Sequence, residues 1–271
     1  MGMVVRTNVM GINANRQLNM NNSAVAKSLE KLSSGFKINR AADDASGLAI
    51  SEKMKAQIKG LEQASANCQD AISLVQTAEG ATTEIHNMLN RMVELTTKAA
   101  NGIYDDTDKD AIKKELDALG AEITRITTST KFNNTTLLNG SLNTQLQIGS
   151  ESTDTISVSC SNLAATVLGV NDLDVSSASA ANGSLSTVKT AINTVSTQRA
   201  NLGAIQNRLE YTVNNLDTTN ENMTAANSRI RDTDMAKEMM NYTKMNVLTQ
   251  AAQAMLAQAN QQPQSVLQLL Q

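Results

Sequence analysis

The chain has 271 residues, 41% hydrophobic but only 2% aromatic and without Trp, so its apolar volume must come from Ala, Leu, Ile, Val and 13 Met. Such side chains suit narrow helix seams better than a thick layered core. Its 23 basic and 26 acidic residues leave a formal net charge of -3, which offers no footprint for nucleic acid or an anionic membrane, and the single histidine, His86, excludes a multi-histidine zinc or haem site.

In chain order, residues 1–33 carry Val5, Val9, Ile12, Leu18, Val25, Leu29 and Leu32 diluted by many Asn, a pattern compatible with an amphipathic helix. From Asp44 to Ala100 a stripe runs through Met54, Ile58, Leu61, Ser65, Cys68, Ile72, Val75, Ala78, Thr82, Ile85, Leu89 and Met92. Steps of three and four over that length predict one very long helix, with Asp43 or Asp44 capping its start and Asn101–Gly102 stopping it. A second stripe through Ile112, Leu116, Leu119, Ile123 and Ile126 predicts a helix over 110–126. Residues 127–183 are rich in Ser, Thr and Asn, and their Ser and Thr side chains read as a solvated surface. Within them Ile156, Val158 and Cys160 alternate after Gln145, Gln147 and Gly149, which predicts a small β-hairpin. A third stripe over 184–230 uses Val188, Ile192, Val195, Leu202, Ile205, Leu209, Val213, Leu216, Met223 and Ile230. The last segment, from 234, carries Met235, Met239, Met245, Leu248, Ala252, Met255, Leu256, Ala259, Val266, Leu267, Leu269 and Leu270.

Length decides the expected shape. A helix of about 55 residues is about 80 Å long, whereas a compact chain of this size is roughly 50 Å across. The expectation is therefore a rod of long helices packed side by side. The two termini have no neighbour in such a rod long enough to cover them, and pairing them with each other leaves apolar surface over. Sticky assembly ends, a closed bundle end and frayed tails all fit that pattern. With no apolar run of about 18 residues, no membrane span is expected. The opening residues lack the continuous apolar stretch of a secretory signal, so the chain either stays inside or leaves by a route that does not read one. Cys68 and Cys160 read as buried inert thiols, His86 as a helix-surface or seam residue, and the methionines of the last segment as adaptable packing.

Several stretches resemble bacterial flagellin. LSSGFKINRAADDASGLAIS (32–51) is the most specific, followed by RIRDTDMAKEM (229–239) with the tail QSVLQLLQ, then LGAIQNRLE (202–210) and KFNNTTLLNG (131–140). The resemblance covers nearly the whole chain and implies a minimal form without outer domains in mid-sequence. It implies a mainly α fold: an elongated antiparallel long-helix bundle with a small β-hairpin region at about 131–175 and a terminal two-helix coiled coil. Residues 1–43 and 231–271 would form the inner filament-core domain, and 44–230 the rod domain with helices 44–100, 110–126 and 184–230. The zinc protease that a few relatives hold in mid-sequence needs an HExxH helix, which one histidine cannot supply.

The resemblance further implies a structural subunit that polymerises into the extracellular filament used for motility, exported unfolded by a type III route, with no cofactor and no enzymatic activity. Assembly would use Val9, Ile12, Leu18, Leu29, Leu32, Met239, Leu248, Met255, Leu256, Leu267 and Leu270. Implied partners are copies of itself, a flagellar export chaperone, the filament cap and a Toll-like receptor of vertebrates, with neither nucleic acid nor membrane among them. For the receptor, LNRMVEL supplies Arg91, Glu94 and Leu95, and Glu115 matches a nearby acidic position; the same residues serve subunit packing in the family. Asn90, Val93 and Lys98 depart from the family's usual residues there. A rival is the hook junction protein of the same export system, which joins rather than repeats. A helical toxin lacks its apolar insertion hairpin here, and no nucleophile, paired base or phosphate loop suggests an enzyme.

Overall fold

Leu61, Ala64, Cys68, Ala71, Val75, Ala78, Thr82, Ile85, Leu89, Met92, Thr96 and Ala99 are all buried on one helix, and the steps between them alternate three, four, three, four without a break. That is the heptad period of a helix kept in register with long neighbours. The computed structural model describes residues 7–269, and side chains for 7–261. Its helices are α1 (Val9–Ser34), α2 (Ala45–Ala99), α3 (Asp106–Ser129), α4 (Ala165–Leu168), α5 (Ala178–Arg231) and α6 (Met235–Leu269). The strands are β1 (Lys131–Phe132), β2 (Thr135–Thr136), β3 (Asn143–Gln147) and β4 (Thr155–Ser159). The chain divides into two compact units, one of Gln57–Glu221 and one of the chain up to Ala56 with that from Asn222 onward.

In the unit Gln57–Glu221, α2 and α5 run antiparallel, as the Ser65–Asp217 hydrogen bond (3.1 Å) and the Arg199–Glu79 ion pair (3.9 Å) require. On α5 the buried positions Ala181, Ser184, Val188, Ala191, Val195, Gln198 and Leu202 keep the same three-four spacing. The α2 seam differs from the expected stripe in one stretch. It passes through Ala64 and Ala71 rather than Ser65 and Ile72, which are only half-buried. A methyl group lets neighbouring backbones come close, while the Ser65 hydroxyl sits at the edge and binds Asp217.

Boundaries shift for local reasons. In this unit α3 starts at Asp106 because the Asp105 carboxylate accepts the Asp106 amide, and Asp106 and Asp108 place negative charge in the first turn. At α5 the Ser177 hydroxyl accepts the Ala180 amide, starting the helix at Ala178. Gly102 does not take left-handed backbone; α2 ends at Ala99 with the Asn101 amide donating to the Lys98 carbonyl.

Most Ser and Thr side chains of 127–183 are exposed, as expected, and between them the region encloses a small apolar core of its own. It contains the β3–β4 hairpin, with Leu146 opposite Ile156 and Thr144 opposite Val158. Ile156, Val158 and Cys160 are buried while Thr155, Ser157 and Ser159 are exposed. Around it, Leu137, Leu138, Leu142, Leu163, Val170, Leu173 and Val175 are also buried. A side-chain amide from each long helix ties the hairpin down: Asn67 donates to the Gln147 carbonyl and Gln198 to the Ser159 carbonyl. The β1–β2 turn uses Asn133 and Asn134, both at positive φ as a tight two-residue hairpin demands.

Candidate assembly interface

In the other unit α1 packs on α6. The Asn8 side chain donates to the Ala259 carbonyl at one end, and Phe36 bridges to Asp232 at the other, so the two helices are antiparallel. On α1 the covered positions are Gly11, Ala14, Leu18, Asn21, Val25, Ser28 and Leu32; on α6 they are Glu238, Tyr242, Met245, Thr249, Ala252, Leu256 and Ala259. Both sets keep three-four spacing, as in a coiled coil. The contents of the α1 seam are unusual. Its only fully buried residues are Gly11, Asn21 and Ser28.

Many of the larger apolar side chains face away from that seam. Val9, Ile12, Leu29, Met239, Leu248 and Met255 are exposed, from 41% for Leu248 to 65% for Met255. Leu18, Leu32 and Leu256 are half-buried between the helices. The Leu267 side chain and Leu270 lie outside the described residues. Sequence reasoning found the apolar residues and missed the seam, because a seam whose deepest members are Asn, Ser and Gly carries no hydropathy signal.

The segment 32–51 builds the clamp where this pair ends. Gly35, at φ 74, takes the left-handed conformation that closes α1, and its amide donates to the Lys31 carbonyl at 2.9 Å. The Thr233 amide then donates to the Gly35 carbonyl and the Lys37 amide to the Arg231 carbonyl. The Arg231 guanidinium lies 4.6 Å from the centre of the Phe36 ring and donates to Glu52 at 2.6 Å. The Asp43 carboxylate accepts the amides of Arg40 and Asn39, which hold it below the usual carboxylate range. Asp44 accepts the Gly47 amide and so caps α2. A Cβ on Gly47 would stand 2.8 Å from the Cδ1 of buried Ile38. The residues that make this segment distinctive as a sequence are thus the ones that shape the clamp.

A second surface lies in the unit Gln57–Glu221. The Arg91 guanidinium donates from Nη1 to Glu94 (2.8 Å) and from Nε and Nη2 to Glu115 (both 3.0 Å), joining α2 to α3. Hydrogen bonds from Arg91 to Glu94 and then to Glu115 stabilise its charge and raise its pKa further. All three side chains remain about half-exposed, a preformed charged patch. Leu95 lines the floor of the pocket that these side chains border. It is 4% exposed and belongs to the core, so although its spacing from Arg91 puts both on one face, only the longer side chain reaches the surface.

Both cysteines are buried and free. Burial pushes the Cys160 thiol up to about 11 and raises that of Cys68 as well. His86 is half-buried on α2. Among the described residues no three His, Cys, Asp or Glu side chains converge as a metal would require, and no helix is long and apolar enough to cross a membrane.

Two family models match the chain: the bacterial flagellin N-terminal helical region over residues 5–143 and the bacterial flagellin C-terminal helical region over residues 185–270. Flagellin of Bacillus subtilis (strain 168) is 51% identical over 303 aligned residues, covering 99% of this chain and 100% of that protein. Flagellin of Halalkalibacterium halodurans is 49% identical over 271, again covering 99% and 100%. Among solved structures, the crystal structure of Bacillus cereus flagellin matches with a TM-score of 0.52 at 32% identity, over 60% of this chain and 94% of that one.

Proposed function

Since the chain belongs to the bacterial flagellin family, whose members build the extracellular flagellar filament and are structural rather than enzymatic, we propose that copies join through the outward faces of α1 and α6. The inner filament-core domain in this reading is residues 1–43 with 231–271, and the rod domain is 44–230. The supporting observation is the large apolar surface the pair leaves uncovered: Val9, Ile12, Leu29, Met239, Leu248 and Met255 are exposed, while the only fully buried residues of α1 are Gly11, Asn21 and Ser28. Helices with so thin a seam gain little from each other, and isolated helices are marginal in water. Neighbouring subunits supply the missing burial, at about 25 cal/mol per Å² of apolar surface, against the entropy of ordering the tails. Folding of the ends and growth of the filament are then one coupled event. Contacts between unlike faces propagate without closing, as a filament requires. An export chaperone and the filament cap are the further partners this reading implies.

Deleting 1–33 or 235–271 tests it. Either truncation is expected to give a soluble helical monomer that forms no filament by light scattering or electron microscopy. Filaments from either truncation would overturn the proposal. Failure of the full chain to polymerise alone would instead favour the hook junction reading.

The Arg91–Glu94–Glu115 patch is proposed as the contact for a vertebrate Toll-like receptor, with buried Leu95 supporting it from beneath. The held guanidinium loses little freedom on docking, which suits an interface anchor. Arg91→Ala is expected to weaken receptor binding about ten-fold or more, while changing stability little because the pair is exposed. Undiminished binding would remove the patch from the claim.

A further inference from the structure

Every exposed methionine among the described residues lies on α1 or α6: Met10, Met20, Met235, Met239, Met240 and Met255. The methionines of the other elements are covered to some degree, and Met92 completely. Both thiols are buried, so these thioethers are the most exposed sulfur among the described residues. Met239 and Met240 line a shallow apolar groove on α6 with Val247 and Leu248.

We propose that these methionines are oxidative modification sites, and that their conversion to sulfoxide by a peroxide-class oxidant switches off joining of the free subunit. The inference rests on the assembly reading above. In the step, a thioether lone pair attacks one peroxide oxygen. An S–O bond forms and the O–O bond breaks; sulfur is oxidised by two electrons and hydrogen peroxide is reduced to water, its proton passing to the departing hydroxide. The product is polar, chiral and a strong hydrogen-bond acceptor in place of a flexible apolar group. On an outward face still open to solvent it is harmless. Against the apolar face of a neighbour it becomes a buried acceptor without a donor, which opposes association. Each subunit presents several such groups, so partial oxidation suffices. Once a subunit has joined, its thioethers are covered and the oxidant no longer reaches them.

The test treats the full-length monomer with hydrogen peroxide, locates sulfoxides by peptide mass spectrometry and measures seeded polymerisation. Treatment is expected to raise the critical concentration about ten-fold or more. Methionine sulfoxide reductases with a thiol reductant should restore it, and preformed filaments should resist modification at Met239, Met240 and Met255. In a variant with all six methionines changed to Leu, the ratio of treated to untreated critical concentration should stay near one, whatever its untreated value. Unchanged polymerisation by wild-type chains carrying the six sulfoxides would overturn the inference, as would equal poisoning of the Leu variant. A variant with the six changed to Gln, measured without peroxide, separates the two claims. If it polymerises normally, the outward-face reading itself fails; if it is blocked while sulfoxide-bearing wild type still grows, only the oxidation inference fails.

Discussion

The Thr233 amide donates to the Gly35 carbonyl at 2.9 Å, joining the residue that closes α1 to the turn that opens α6. Gly35 can make this bond because its backbone sits at φ 74, where a side chain is strained. Gly35→Ala is expected to destabilise the protein by about 1 kcal/mol. Loss of hydrogen-exchange protection at the Thr233 amide would localise the effect, and unchanged unfolding would refute it.

Acid should loosen the same clamp. The hydrogen bond from Arg231 and then the charge of Lys55 hold the Glu52 carboxyl below its ordinary range. A carboxyl with a lower pKa folded than unfolded adds stability above its unfolded pKa, about 4.3, and loses that contribution as pH falls through the folded value. Carboxyl NMR should therefore place Glu52 below the unfolded value, and Glu52→Gln should remove this part of the acid sensitivity. A Glu52 that titrates normally would contradict the geometry.

Thiol chemistry probes the other unit. Cys68 and Cys160 are buried with raised pKa values, so at neutral pH they hold almost no thiolate and no path to reagent. Alkylation should be slow in buffer and complete in urea. Rapid modification of Cys160 in the native protein would mean that the hairpin opens easily.

Asn21 tests the thin seam. It is buried on α1 and accepts from Gln17 at 3.2 Å. A polar residue in a coiled-coil seam costs stability, so Asn21→Leu is expected to strengthen the free pair by about 1 kcal/mol. Greater amide protection along α1 and α6 would bear this out; weaker protection would show a seam too narrow for Leu.

The long helices were legible because hydrophobic spacing survives over many turns, and the alternation of Ile156, Val158 and Cys160 marked its strand. What escaped followed from the same method. Ala64 and Ala71 carry the α2 seam, but alanine ranks low in any hydropathy reading. The α1 seam, with Asn21 and Ser28 at its centre, looks like a solvent face. Leu137, Leu138, Leu163 and Leu173 stand among Ser, Thr and Asn without a period, and only the tertiary fold brings them under the hairpin. Arg91 and Glu115 are singled out by resemblance alone, and no local pattern shows that they pair across α2 and α3.

The α1 seam nearly repeats itself every seven residues: Leu18, Val25 and Leu32 on one line, the small or polar Ala14, Asn21 and Ser28 on the other. A lengthwise slip of one repeat would exchange like for like on α1, so the α1 residues alone set no unique alignment; the α6 line of Tyr242, Thr249 and Leu256 does not repeat in this way. Alignment is fixed further by the knot at Gly35, Phe36, Asp232 and Thr233. The two helices thus behave as a pair of rulers pinned at both tips, the second pin being the single bond from Asn8 to the Ala259 carbonyl, so neither can slide before a pin gives way.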